Sequence, residues 1–121
     1  VDISEDMLHQ ARTDYPWAKV EQGDIRTLDL PEKGFDVTVC SQFLKYATVE
    51  ELPKLIEKLA RATRHRMLIS IFTGNSLVRR NRNYIHPLPL LDRSVRLAGF
   101  QLRARGDIEP PHHHLWICEA A

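Results

Sequence analysis

Met67-Leu68-Ile69-Ser70-Ile71-Phe72 is the stretch on which the fold turns. Successive side chains of a strand point to opposite faces, and here both faces are apolar apart from Ser70. That pattern predicts a central parallel strand covered by helices on both sides, with buried strands as neighbours. Just upstream, Leu52, Leu55, Ile56 and Leu59 recur at i, i+3, i+4 and i+7, a helical spacing that runs to about Ala62. Thr48 followed by Glu51 is a capping-box pattern for its start, although Pro53 leaves the first turn open.

Further upstream, Phe35-Asp36-Val37-Thr38-Val39-Cys40 reads as a second strong strand, and residues 18–21 as a short one leading into Gly23-Asp24-Ile25. Met7, Leu8, Ala11 and Tyr15 give a helix over residues 4–15, with Asp2 or Ser4 as N-cap, acids Glu5 and Asp6 at its positive start and Pro16 as its stop. Val1-Asp2-Ile3 reads as the last residues of a strand, which suggests a truncated or processed chain. Downstream, residues 73–87 show no period and end in Pro87-Leu88-Pro89, predicting a long loop with a short helix inside. A helix follows from about Leu90 to Ala98 and stops at Gly99. Phe100, Leu102 and Ala104 then alternate with Gln101, Arg103 and Arg105, as in a half-exposed strand. Residues 106–113 are a turn and residues 115–119 a last strand, so the chain ends in an antiparallel hairpin. Strict alternation before that hairpin predicts an α/β fold with a doubly wound, mostly parallel sheet.

Length allows one domain spanning residues 1–121. Hydrophobic residues at 43%, charged residues at 27% and a net charge of +1 exclude a disordered chain and a generally basic nucleic-acid binder. No apolar run reaches membrane-spanning length and no basic-then-apolar leader opens the sequence, which gives a cytoplasmic expectation. Cys40 and Cys118, both in apolar strand-like runs, read as reduced buried thiols rather than a disulfide framework.

The charge is segregated. Residues 1–57 carry 12 acids and 6 bases, residues 58–91 carry 7 bases and no acid, and residues 92–121 carry 4 of each. Within the basic block, Arg61, Arg64 and Arg66 precede the central strand and read as a solvated surface. Arg79, Arg80 and Arg82 follow that strand on the side where ligands bind, and either attract an anionic substrate or belong to a solvated loop. Without interleaved aromatics they give no nucleic-acid signature. His112-His113-His114 does not read as a metal set, because alternate residues of an extended chain face opposite ways and no partner pair stands at zinc spacing.

In doubly wound sheets ligands bind beyond the carboxyl ends of the strands. Asp2, Asp24 and Cys40-Ser41-Gln42 stand at three such ends. A carboxylate at the first of them can accept from both ribose hydroxyls, or cap a helix; one at the second can accept from an adenine amine, or close a turn.

Asp2-Ile3-Ser4-x-x-Met7-Leu8, Gly23-Asp24-Ile25, Phe35 to Cys40, Leu97-Ala98-Gly99-Phe100 and the closing hairpin together resemble the class I S-adenosylmethionine-dependent methyltransferases, particularly their small-molecule branch. The resemblance covers nearly the whole chain. It implies a Rossmann-like methyltransferase fold and S-adenosylmethionine as cofactor, with Asp2 on the ribose, Ile3 and Met7 flanking the adenine, and Asp24 with Ile25 reading its edge. Cys40 and Ser41 would lie beside the methionine portion. Gln42 to Tyr46 would face a small-molecule substrate, with His86 also near its mouth and Lys45 standing where relatives often carry histidine. The implied reaction is direct methyl displacement, for which no covalent protein nucleophile is needed. Tyr46, His86 and His112 to His114 are the candidates for a general base, should the acceptor require one.

The family's opening strand and glycine-rich loop have no counterpart among Gly23, Gly34, Gly74, Gly99 and Gly106. In the family that strand lies between the one ending at Asp2 and the one beginning at Phe35. A fold with its first strand and helix missing, a strand swapped between copies in a homo-oligomer, or poor cofactor binding is therefore expected. Two other readings stand beside the methyltransferase. One is a non-catalytic relic or binding module with the same fold; the other is a nicotinamide-dependent oxidoreductase, which the Gly-Asp-Ile turn and the reversed last strand fit poorly.

Overall fold

The computed structural model describes residues 1–74, 78–80, 83–109 and 112–121, with backbone alone for 78–80. In chain order the elements are α1 (Glu5–Asp14), β1 (Phe35–Cys40), a 3₁₀ turn (Leu44–Tyr46), α2 (Glu51–Ala62), β2 (Thr63–Gly74), β3 (Val78–Arg80), β4 (Asn83–Pro87), α3 (Leu88–Leu97), β5 (Phe100–Glu109) and β6 (His113–Ala120).

The central strand is longer than its apolar run. β2 pairs in parallel with β1 from Thr63 to Ile69 and, further along the same edge, with β4 from Phe72 to Gly74. Its other edge takes β6, antiparallel from Arg66 to Phe72, and β5 closes the sheet against β6. The sheet is therefore mixed, parallel around β1, β2 and β4 and antiparallel at its carboxyl-terminal hairpin, as expected.

The capping box forms as its spacing predicts. Glu51 N donates to Thr48 Oγ1 and Thr48 N to Glu51 Oε1, both at 3.2 Å, and Pro53 is accommodated in the first turn of α2. Leu52, Leu55, Ile56 and Leu59 of α2 and Leu91 and Val95 of α3 pack on Met67, Ile69, Ile71 and Cys118, which is the core. The second face is more open. Leu68 and Phe72 are half-buried, and Phe35, Val37 and Val39, on the Leu68 side of β1, are 44%, 50% and 65% exposed. Gly99 adopts φ 87° after α3, the left-handed conformation that glycine enters without a Cβ clash.

The expected loop over residues 73–87 is mostly strand. β2 continues through Gly74, β3 and β4 pair antiparallel, and α3 begins at Leu88. The hairpin is also longer than its alternation suggests, because β5 runs through Gly106 to Glu109 and β6 starts at His113. The strand expected over residues 18–21 shrinks to a single parallel bridge, Asp2 with Gln22. Among the described residues nothing pairs with the second edge of β1, so this bridge has no neighbour through which to join the sheet.

Candidate functional site

The bridge is made by Asp2 N donating to Glu21 O at 3.3 Å and Gly23 N to Asp2 O at 3.0 Å. It brings Asp2 and the Gly23-Asp24-Ile25 turn side by side. Asp2 Oδ1 accepts from Ser4 N at 2.9 Å, while Ser4 Oγ caps α1 by accepting from Met7 N at 3.3 Å. The cap is therefore Ser4, and Asp2 Oδ2 stays uncommitted among the described residues. Ile3 and Met7 project outward, 67% and 58% exposed.

Asp24 closes its turn as an acceptor. Its backbone carbonyl takes Leu28 N at 2.8 Å and Thr27 N at 3.0 Å, and its Oδ1 takes Arg26 N at 2.9 Å. Ile25 is half-buried against the core. Arg26 then reaches across the site, with Nε 2.6 Å from Glu51 Oε2 and its guanidinium carbon 5.0 Å from the Phe43 ring centre. The Glu51 bond raises the Arg26 pKa, and Arg26 in turn holds the Glu51 carboxyl below its usual range.

At the carboxyl end of β1, Cys40 is half-buried and Ser41 exposed. Burial pushes the Cys40 thiol up to about 11, so it stays protonated and unreactive near neutral pH. Gln42 turns the chain at φ 59°, held by its N–H donating to Ser70 Oγ at 2.7 Å. Its Oε1 accepts from Lys45 Nζ at 3.0 Å, and that ammonium lies 5.1 Å from the ring centre of half-exposed Tyr46.

His86 is fully buried, beside β2 at Thr73, with neither ring nitrogen hydrogen-bonded among the described residues. Burial lowers its pKa, and the nearby Ala47 and Leu44 carbonyls, which miss hydrogen-bond geometry, only partly oppose that. It lies beneath the 3₁₀ turn rather than at an open mouth. Arg79 and Arg80 sit in β3 opposite Tyr84 and Asn83, and Arg82 falls outside the described residues. The three adjacent histidines diverge. His112 Nδ1 lies 3.3 Å from Thr73 O, the His113 ring lies tilted against Phe72 with centres 4.5 Å apart, and His114 Nδ1 lies 2.8 Å from Asp107 Oδ1.

The structure thus gathers Asp2, Asp24 and Ile25 in one cluster and Ser41, Gln42 and Tyr46 in another. Sequence reasoning included Phe43 within the Gln42 to Tyr46 segment but missed Arg26, Glu51 and Ser70 as members. The capping box had already singled out Glu51, whereas nothing in the local pattern marks Arg26.

No curated protein matches the chain. Among solved structures, magnesium protoporphyrin IX methyltransferase from Synechocystis, with bound SAH, superposes with a TM-score of 0.81 at 18% identity, over 98% of this chain and 62% of its own length. An S-adenosylmethionine-dependent methyltransferase from Mesorhizobium loti gives 0.79 at 15% identity, over 97% of this chain and 77% of that one. The Burkholderia thailandensis 1,6-didemethyltoxoflavin-N1-methyltransferase, with bound 1,6-didemethyltoxoflavin and S-adenosylhomocysteine, gives 0.74 at 16% identity, over 97% and 57%. The chain thus spans about three fifths of the first of these, and the likeness is one of fold. The sequence profile of the family described as "Methyltransferase domain" matches residues 1–66, more than half of the chain, which therefore belongs to the methyltransferase-domain family.

Proposed function

We propose that the chain carries the adenosine-binding and acceptor-facing parts of an S-adenosylmethionine-dependent methyltransferase for a small molecule. The observation that carries this reading is the Asp2–Gln22 bridge, which sets two carboxylates, Asp2 and Asp24, at adjacent strand ends. Each has one oxygen engaged by the backbone, at Ser4 N and Arg26 N respectively, and the other free of protein partners among the described residues. That donor-poor, acceptor-rich pair fits a ribose diol and an exocyclic amine. Ile3 and Met7 offer apolar surface for a purine, and solved structures of the same fold contain S-adenosylhomocysteine.

When bound, the cofactor supplies an activated methyl group. The work left to the protein is alignment, which can account for much of the rate of a two-reactant displacement. Ser41, Gln42 and Tyr46 would present the acceptor, and Ser70 fixes the strained turn at Gln42. Cys40, kept protonated by burial, would line the methionine side without forming a covalent intermediate. His86 would support the acceptor segment from beneath. Arg79, Arg80 and Arg82 would favour an anionic acceptor.

A second reading, a binding module with this fold and no catalysis, is favoured by the edge of β1 that nothing pairs with among the described residues. Calorimetric titration of S-adenosylmethionine and S-adenosylhomocysteine tests both readings. One sample is this chain, and the other is a form carrying a strand, glycine loop and helix ahead of Val1. Binding by the second form alone supports the methyltransferase reading and a cofactor site completed by that unit, whether from the same chain or from a swapped partner. Absence of binding by both, with each folded, leaves the module.

A further inference from the structure

Arg26 touches both clusters of the proposed site and the helix that backs them. Its backbone N–H donates to Asp24 Oδ1 at 2.9 Å, and its NH1 lies 3.7 Å from the same oxygen. Its Nε donates to Glu51 Oε2 at 2.6 Å, and its guanidinium faces Phe43 at 5.0 Å. Phe43 is the residue from which the 3₁₀ turn of the acceptor segment starts. Glu51 is itself locked by the capping box to Thr48 at the start of α2. Asp24, Phe43 and Glu51 come from three segments, and among the described residues no strand joins the Asp24 segment to β1. A planar guanidinium can hold a carboxylate and stack on a ring in one fixed geometry, which an ammonium cannot.

We propose that Arg26 is a positioning residue that fixes the orientation of the Asp24 carboxylate and ties it to Phe43, so that the purine-reading turn and the acceptor segment are held as one unit. This rests on the reading of Asp24 as the acceptor for a purine amine. With Oδ1 accepting from the Arg26 backbone N–H and facing the Arg26 guanidinium at 3.7 Å, Oδ2 is the oxygen presented to a ligand, and the guanidinium adds a charge that favours this orientation over its flip. Asp24, Arg26 and Glu51 are each about one-third exposed, so the ion pairs add little to global stability. What they supply is direction.

The test compares S-adenosylhomocysteine with its 6-oxo analogue S-inosylhomocysteine, which lacks the amine, by calorimetry on wild type, Arg26→Gln, Arg26→Lys and Glu51→Gln, each shown to be folded by its thermal melt. Amide hydrogen exchange of residues 24–28 and 43–47 is followed on the same proteins without ligand. The expected result is that Arg26→Gln reduces the preference for the amino purine about two- to fivefold, the scale of one partly exposed ion pair, while the backbone bond to Asp24 is kept. Arg26→Lys should recover little of it, and both peptide segments should exchange faster together. Equal weakening of the two nucleosides, or faster exchange confined to residues 24–28, would overturn the proposal. If wild type binds neither nucleoside in any form, the cofactor reading falls, and exchange alone decides the coupling. Joint acceleration then upholds it, and local acceleration overturns it.

Discussion

The backbone N–H of Gln42 donates to Ser70 Oγ at 2.7 Å, joining the end of β1 to the middle of the central strand. Ser70 is the one polar residue in the Met67–Phe72 run, and it is 2% exposed. The bond anchors a non-glycine residue at φ 59°, a conformation that is uncommon without support. Ser70→Ala should therefore cost about 0.5–1.5 kcal/mol, the net worth of one partly buried hydrogen bond, measured by denaturant unfolding. A change below about 0.5 kcal/mol would show that water replaces the hydroxyl.

Two buried histidines make stability pH-dependent. Burial lowers the pKa of both His86 and His113 from the ordinary 6.5, and Lys45 adds to the effect on His113. The unfolded chain therefore takes up protons near pH 6.5 before the folded one does. Stability should be full above that pH and fall as pH drops toward the depressed folded values, by at most about 1.4 kcal/mol per pH unit for each group. Urea unfolding between pH 7.5 and 5 measures the slope, and His86→Phe should shallow it. A flat profile for wild type would contradict this.

The turn ahead of β1 leaves no room for a side chain at Gly34. A Cβ there would lie 2.8 Å from Pro31 Cβ and 3.1 Å from the Pro31 carbonyl oxygen. Gly34→Ala should destabilise by about 1–3 kcal/mol through overpacking. Gly106→Ala meets open space and should leave the melting temperature nearly unchanged. Equal melting temperatures for both variants would refute the contrast.

Among the described residues nothing pairs with the second edge of β1, and the strand exposes the side chains of Val37 and Val39. Edges of this kind recruit other strands, and lysine is a common way to blunt them. Val39→Lys should lower self-association in sedimentation velocity without lowering the unfolding midpoint. Unchanged association would place the sticky surface elsewhere.

Much of the scaffold was legible because its signals are local and redundant. The Leu52 to Leu59 spacing, the Thr48–Glu51 pair and the Met67–Phe72 run each specify an element that the core then reinforces. Gly99 marked the end of α3 because a left-handed residue there favours glycine. The strands β3 and β4 were not legible. Asn83–Pro87 lacks alternation and borrows its register from just three residues of β2, so tertiary pairing rather than propensity decides it. The same holds at the site. Asp2, Asp24 and Gln42 were marked by their places at strand ends, whereas Arg26 meets Glu51 twenty-five residues away and Ser70 meets Gln42 twenty-eight away, relations that no local pattern encodes. His86 looked like a loop residue and is instead fully buried under the 3₁₀ turn.

One edge of β2 serves two neighbours in succession, β1 as far as Ile69 and β4 from Phe72 onward. The handover falls at the end of the core run, beside Ile71, so the sheet has a division of labour along its length. The first half is a chassis whose register is fixed by Met67, Ile69 and Cys118. The second half is an interchangeable fitting, tethered by three residue pairs. Changes of sequence between Gly74 and Tyr84, short of the buried Ile85 and His86, would spare the chassis while reshaping what stands above it. A lineage built on this plan can vary that fitting without renegotiating its fold.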